Sequence, residues 1–134
     1  FKYDSVRNWL LVSSYELTDD KLKIIIDKMS KFNPDFIQGY PSSLYLVARM
    51  IDNLGLKFRF KPRAIFCGSE NLYEDHISKI ESVFKAPVFG WYGHAERVVL
   101  AYKNMSSNAY SFLCSILISL SILILTPIFF KASK

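Results

Sequence analysis

Hydrophobic residues recur with two different periods along the first hundred residues of the chain. In the segments 18–32, 42–54 and 73–84 they recur every three or four residues, which predicts amphipathic helices. Thr18 precedes the first of these as an N-cap, and Gly55 follows the second as a stop signal. The residues predicted to face the core are Leu22, Ile25, Ile26, Met29, Leu44, Val47, Ala48, Ile51, Leu54, Tyr73, Ile77, Ile80 and Phe84.

Short apolar runs separate these helices and predict strands at 9–14, 35–39, 63–68 and 87–92. Proline is tolerated at the first position of a strand, and three of the runs begin at or just after Pro34, Pro62 and Pro87. Strands that alternate with helices of this length favour βαβ units. The predicted fold class is therefore α/β, with a parallel sheet.

Composition and charge narrow the class of protein. An apolar content of 51% in 134 residues is typical of one globular domain. The net charge is +5, but residues 1–100 carry 14 Lys/Arg against 12 Asp/Glu, with the signs well mixed. A nucleic-acid-binding surface needs basic residues concentrated on one face. The sequence has no such run, so we expect no nucleic-acid partner.

The cysteines and histidines form no recognisable metal or nucleophile motif. Cys67 and Cys114 lie far apart without CxxC spacing, and Cys67 is predicted to be a buried strand residue. His94 and Glu96 match the His-x-Glu of zinc deaminases, but the Pro-Cys-x-x-Cys partner is missing. His76 is predicted to be an ordinary polar residue on the charged side of its helix.

Small and polar residues follow three of the predicted strands, at 39–43, 68–70 and 92–96. In open parallel sheets, ligands bind outside the carboxyl ends of the strands. These segments therefore predict a binding edge. A tyrosine there can stack on a planar ligand, and Glu96 offers a carboxylate suited to magnesium. The alternative is an ordinary strand–turn with a surface Glu–Arg pair and a plain loop at 68–70.

The same segments carry a family resemblance. Residues 38–44 (QGYPSSL), 68–70 (GSE) and 91–101 (WYGHAERVVLA) resemble, in order and spacing, the phenylacetate–CoA ligase family of adenylate-forming enzymes. Within that family the resemblance is to the CapK-like proteins of capsular polysaccharide biosynthesis. It covers roughly residues 1–101, which we expect to be part of an AMP-binding α/β domain.

The resemblance implies a reaction and a set of site residues. The complete family joins ATP and a carboxylate into acyl-AMP and then forms a thioester with CoA. Nucleotide binding would fall to Gly68, Ser69, Glu70, Tyr92 and Gly93. Glu96 would help to hold magnesium, and Tyr40 and Pro41 would lie near the carboxylate substrate. Ala95 stands where many relatives have serine or threonine, which removes a hydroxyl contact to phosphate.

Parts of the family's apparatus have no counterpart in these residues. The resemblance implies an upstream Ser/Thr/Gly-rich phosphate loop, a downstream aspartate for the ribose and a carboxy-terminal domain with a catalytic lysine. The chain opens at Phe1 without an initiator methionine, so we expect a partial chain. Adenylation requires groups that stabilise the charge on the transferring phosphate. Because part of that apparatus is missing, we expect no turnover from this partial chain.

The tail, residues 102–134, changes character. Residues 109–130 contain no charge, which predicts a transmembrane helix or, alternatively, the product of a reading-frame change. The family resemblance implies a cytoplasmic location, with membrane contact through the tail if the tail is genuine. Two other hypotheses are a small membrane-anchored module without catalysis and a non-functional gene remnant.

Overall fold

The computed structural model describes residues 2–13, 15, 17–93, 100–103, 110–112 and 128–131. Within these ranges the helices are α1 (Asp19–Phe32), α2 (Pro41–Asn53) and α3 (Glu74–Phe84). The strands are β1 (Lys2–Asp4), β2 (Trp9–Val12), β3 (Phe36–Gly39), β4 (Ala64–Gly68), β5 (Val88–Gly93), β6 (Leu100–Lys103), β7 (Tyr110–Phe112) and β8 (Ile128–Lys131). They form one sheet in the order β1-β2-β8-β3-β4-β5-β6-β7.

Three parallel strands make the centre of this sheet. Strand β3 pairs with β4, where Ile37 lies beside Ile65, and β4 pairs with β5, where Gly68 lies beside Trp91. Helices α2 and α3 make the crossover connections between these strands, as parallel pairing requires. The predicted α/β fold with a parallel sheet is confirmed.

Antiparallel strands extend the sheet on both sides of this centre. Strands β6 and β7 continue it beyond β5, and β8 lies between β2 and β3. The predicted strand at 9–14 corresponds to β2, whereas the sequence patterns predicted none of β1, β6, β7 and β8. The sheet is therefore mixed, with its parallel part in the middle.

The helix ends follow local sequence chemistry. The Thr18 hydroxyl accepts a hydrogen bond from the Lys21 backbone N–H at 3.3 Å, so Thr18 caps α1 as predicted. Asn33 ends α1 in the left-handed region, with φ of 52°. Helix α2 begins at Pro41, one residue before the predicted start, because proline has the backbone angle that a first helical position needs.

The core lies between the helices and one face of the sheet. The predicted inward residues of α1 are all buried, and so are Leu44, Val47, Ala48 and Ile51 of α2. Leu54 and Tyr73 were wrongly predicted, since their side chains are 36% and 57% exposed. Leu54 is the C-cap of α2 and Tyr73 the N-cap of α3. Both lie just outside their helices, so helical spacing does not set their directions.

A row of phenylalanine rings lies on the opposite face of the sheet. Successive side chains of a strand point to opposite faces, and Phe66 follows the buried Ile65. The Phe66 ring lies 6.0 Å from the Phe36 ring and 5.8 Å from the Phe89 ring, measured between centroids. Phe66 is nevertheless 37% exposed. This aromatic row crosses the three parallel strands.

The tail does not form the predicted single helix. The described residues at the two ends of 109–130 are strands, β7 and β8, whose backbones pair with β6 and with β2 and β3. The prediction of a helix over all of 109–130 is therefore wrong at both ends. Among the described residues, no helix is long and apolar enough to cross a membrane. Residues 113–127 lie outside the described ranges.

Candidate functional site

Three strand ends meet at one edge of the parallel sheet. Strands β3, β4 and β5 end at Gly39, Gly68 and Gly93, and each is hydrogen-bonded to its neighbour. Because the strands are parallel, their carboxyl ends share this edge. The polar segments after β3 and β4 are thereby brought together, and we call this region the strand-end edge.

A hydrogen bond joins two of these segments. The Glu70 carboxylate, in the loop after β4, accepts a hydrogen bond from the Ser42 backbone N–H at 3.1 Å. Ser42 lies in the first turn of α2, where the N-cap residue Tyr40 makes no side-chain capping bond and no acidic residue is present. Glu70 therefore supplies both the missing acceptor and the negative charge that a helix N-terminus favours.

The residue between Gly68 and Glu70 has an uncommon backbone conformation. Ser69 has φ of 69°, in the left-handed region that non-glycine residues seldom adopt. The strained residue directly precedes the carboxylate that caps α2. Strain of this kind persists where surrounding contacts hold it, and it is frequent at ligand-binding sites.

Cys67 is the buried residue that precedes this loop. Burial, and secondarily the Glu70 carboxylate, raise the pKa of Cys67 from 9.0 to about 12. The thiol is therefore neutral near pH 7 and unsuited to act as a nucleophile. The prediction that Cys67 is a buried strand residue is confirmed, with 1% of its surface exposed.

Trp91 of β5 lies directly against Gly68 of β4. The two residues are register partners, and a Cβ added at Gly68 would overlap the indole atoms of Trp91. The indole thus occupies the space that a side chain at position 68 would need. Trp91 itself is only partly buried. Sequence patterns did not identify this contact, because it depends on strand register.

The structure describes some of the remaining predicted site residues and leaves others outside its described ranges. Pro41 is the fully buried first residue of α2, and Tyr40 is its partly exposed N-cap. The backbone of Tyr92 lies in β5, beside Ala101 of β6. The Tyr92 side chain and all of residues 94–99, including Ala95 and Glu96, lie outside what the structure describes. In the described part, no group of three or more His, Cys, Asp or Glu could hold a metal ion.

His76 contradicts its predicted placement on the charged side of α3. Its ring stacks on Tyr45 of α2, with centroids 4.3 Å apart, and meets the edge of Tyr73 at 5.5 Å. Its Nδ1 atom is buried and has no hydrogen-bond partner among the described residues. His76 therefore belongs to the contact between α2 and α3. Both helices begin at the strand-end edge.

Comparison with known proteins gives one curated relative. The chain is 32% identical over 104 residues to protein CapK of Staphylococcus aureus. The match covers 78% of this chain and 23% of CapK, so the chain spans about a quarter of that relative. No family model matches the chain.

Comparison of structures gives a weaker likeness. One structural neighbour is 2-hydroxyisobutyryl-CoA ligase in an open conformation, in complex with 2-HIB-AMP and CoA. The TM-score is 0.46 at 16% identity, over 59% of this chain and 19% of that one. This likeness is too low to support an argument about the site.

Proposed function

Because the chain belongs to the CapK-like family, we propose that its strand-end edge is the nucleotide-binding part of an acyl-adenylating enzyme. In that reaction a carboxylate oxygen bonds to the α-phosphorus of ATP, and the bond to pyrophosphate breaks. The products are acyl-AMP and pyrophosphate, and CoA is the proposed acceptor of the acyl group in a following step. Residues 1–101 are the proposed nucleotide-binding region.

The observation that carries this proposal is the hydrogen bond between Glu70 and Ser42 at the strand-end edge. It fixes the loop after β4 against the start of α2, so two segments of the predicted site form one surface. Fixed backbone groups bind ligands at little further entropic cost. We propose that Gly68 and Ser69 contact the nucleotide through their backbones, while Glu70 holds the loop.

The other proposed roles lie around this surface. Tyr92 and Gly93 would contact the base and the acyl phosphate from the end of β5. Tyr40 and Pro41, at the start of α2, would lie beside the carboxylate substrate. Glu96 would help to hold magnesium, which would neutralise charge on the phosphates when bound.

We expect these 134 residues to bind nucleotide weakly and to form no acyl-AMP. The sequence contains no Ser/Thr/Gly-rich phosphate loop, and each charged hydrogen bond of such a loop contributes about 1.5–3 kcal/mol. The contacts that remain at the strand-end edge should give millimolar affinity for the nucleotide, which corresponds to a binding free energy of about −4 kcal/mol.

Titration of the full chain with AMP and with ATP–Mg²⁺ tests this proposal. We expect the amide resonances of Gly68, Ser69 and Glu70 to shift with a millimolar dissociation constant. Glu96→Gln should weaken the ATP–Mg²⁺ titration and leave the AMP titration unchanged, which makes AMP the internal control. Absence of shifts at these amides at high nucleotide concentration would contradict nucleotide binding. Pyrophosphate release on adding carboxylates would contradict the expected inactivity.

A further inference from the structure

The loop between α2 and β4 carries positive charge on its solvent-facing side. Within residues 57–63 every second residue is basic, and the side chains of all four are exposed, namely Lys57, Arg59, Lys61 and Arg63. Apolar residues alternate with them, so the sequence shows no uninterrupted basic run, but the fold turns the four cations outward together. We call residues 57–63 the basic loop.

Aromatic residues fix the basic loop to the core. Phe60 is 4% exposed, and its ring stacks on the ring of Phe58, with centroids 4.6 Å apart. The Phe58 ring also lies 5.6 Å from the ring of Phe84 in α3. At the end of the loop, the Arg63 backbone N–H donates a hydrogen bond to the Asp35 carbonyl oxygen at 2.7 Å. The backbone that carries the cations is therefore held in place, so binding through them costs little ordering of the chain.

Nearby carboxylates do not neutralise these charges. Among the described residues, the first three cations of the basic loop form no ion pair. Asp52, near the end of α2, pairs with Lys79 instead. The Glu81 carboxylate of α3 accepts a hydrogen bond from a backbone N–H. Lys85, the exposed residue after Phe84, adds a further positive charge beside the loop.

The basic loop lies at the edge of the sheet opposite to the strand-end edge. It leads into Ala64, the first residue of β4, whereas the strand-end edge begins where β4 ends. Leu54, three residues before the loop, is an apolar side chain that is 36% exposed. The two phenylalanine rings of the loop pack against the core, so they offer no stacking surface to nucleic-acid bases. Cations beside an exposed aliphatic side chain suit the surface of an anionic membrane.

We propose that the basic loop binds the surface of a membrane that contains anionic lipids. Lys57, Arg59 and Lys61 contact the phosphate-bearing headgroups, and Leu54 lies at the lipid interface. In this orientation the strand-end edge points away from the membrane and stays open to solution. The inference goes beyond the proposed function and does not depend on it, because it uses the other edge of the sheet. Each basic residue near such a surface strengthens binding about fivefold.

Sedimentation of the full chain with lipid vesicles tests this binding. We expect the chain to bind vesicles of phosphatidylcholine mixed with phosphatidylglycerol, and to bind them more weakly as salt is added. Binding to vesicles of phosphatidylcholine alone should be much weaker. Equal binding to the two compositions would show that apolar residues and not cations hold the chain, and would overturn the proposal. Absence of binding to both would overturn it as well.

A triple substitution identifies the residues responsible. Lys57→Gln, Arg59→Gln and Lys61→Gln together should weaken binding to the anionic vesicles about a hundredfold. The matched control removes the same charge from exposed positions of α1 and should leave binding unchanged, because charges far from the membrane are screened by salt. It combines Lys21→Gln, Lys23→Gln and Lys28→Gln. Equal losses in the two triple variants would show an effect of net charge alone and contradict a specific role of the basic loop.

Two further measurements separate a membrane from other anions. Leu54→Gln should weaken vesicle binding severalfold, because binding to a membrane interface grows with the apolar area that it buries. An unchanged affinity would contradict the contact of Leu54 with lipid. A single-stranded oligonucleotide that binds more tightly than the vesicles, and loses binding in the triple variant of the basic loop, would replace the membrane by nucleic acid and overturn the proposal.

Single substitutions keep the test decisive if the triple variant of the basic loop does not fold, as judged by circular dichroism. Lys57→Gln and Arg59→Gln should then each weaken binding to the anionic vesicles about fivefold. Unaltered binding by both single variants would overturn the proposal.

Discussion

The Glu70 carboxylate accepts a hydrogen bond from the Ser42 backbone N–H at 3.1 Å, across 28 positions of sequence. It is the cap of a helix that has neither a capping side chain nor an acid of its own in the first turn. One side chain therefore both holds the loop after β4 and completes the start of α2.

Glu70→Ala should lower the free energy of unfolding by about 1 kcal/mol, since it removes the cap and leaves the Ser42 N–H unpaired. Glu70→Gln keeps a hydrogen-bond acceptor and should therefore lose less unfolding free energy. Urea unfolding of both variants, with the unaltered chain alongside, measures the difference. Equal stability of Glu70→Ala and the unaltered chain would show that the cap contributes nothing.

A second carboxylate fixes the connection between α3 and β5. The Oε1 atom of Glu81 accepts a hydrogen bond from the partly buried Val88 backbone N–H at 2.9 Å. Glu81→Ala should cost about 1–2 kcal/mol of unfolding free energy, because a shielded donor loses its partner. Ser82→Ala, at the exposed neighbouring position, is the control and should change stability by less than about 0.5 kcal/mol. Comparable losses in the two variants would contradict a specific role of the Glu81 bond.

The raised pKa of Cys67, about 12 against an ordinary 9.0, predicts a loss of stability in alkali. Below pH 9 the thiol is protonated in both the folded and the unfolded chain, so its contribution is fully present. Between pH 9 and 12 the unfolded chain releases the proton first, which favours unfolding. At roughly 1.4 kcal/mol per pH unit, about 2 kcal/mol should be lost by pH 10.5.

Cys67→Ala is the control for this pH dependence. All other side chains are common to both proteins, so the difference between the two curves isolates Cys67. We expect Cys67→Ala to be less stable than the unaltered chain at pH 7, because a buried side chain is truncated. Above pH 9 its free energy of unfolding should fall less steeply than that of the unaltered chain. Parallel curves would contradict the raised pKa.

Gly55, two residues after α2, should resist substitution for a conformational reason. Its φ is +60°, and a Cβ built there has no heavy atom within 4 Å. Gly55→Ala should therefore cost about 1 kcal/mol through backbone strain alone, and Gly55→Asn less, since asparagine tolerates this region better. Thermal unfolding of the two variants compares them. An alanine variant as stable as the asparagine variant would contradict this explanation.

The central part of the fold could be predicted because its residues obey simple periods. Four apolar residues of α1 at helical spacing are all buried, and proline marks the starts of the parallel strands. Leu54 and Tyr73 were wrongly predicted to be buried because each continues the helical spacing of apolar residues one position beyond the end of its helix. Strands β7 and β8 were missed because they lie at the two ends of the charge-free run 109–130, whose length and hydrophobicity predicted a helix instead.

The candidate site could be located from the sequence but not assembled from it. Parallel topology brings the ends of β3, β4 and β5 to one edge, and that follows from the alternation of elements. The contact of Trp91 with Gly68 depends on the register between β4 and β5. The hydrogen bond from the Ser42 backbone N–H to the Glu70 carboxylate joins residues 28 positions apart, directly after the left-handed residue Ser69. Neither leaves a periodic trace in the sequence.

The position of β8 has a consequence for the chain during its synthesis. Among the described strands this one is the last in sequence, yet it lies between β2 and β3, which are among the first. A ribosome adds about 5–20 residues per second, so β8 follows the end of β5 by roughly 2–7 seconds. During that interval the facing edges of β2 and β3 have unpaired backbone groups, which invite pairing with other nascent chains. The delay before the last strand arrives is therefore the period in which we expect aggregation to compete most strongly with folding.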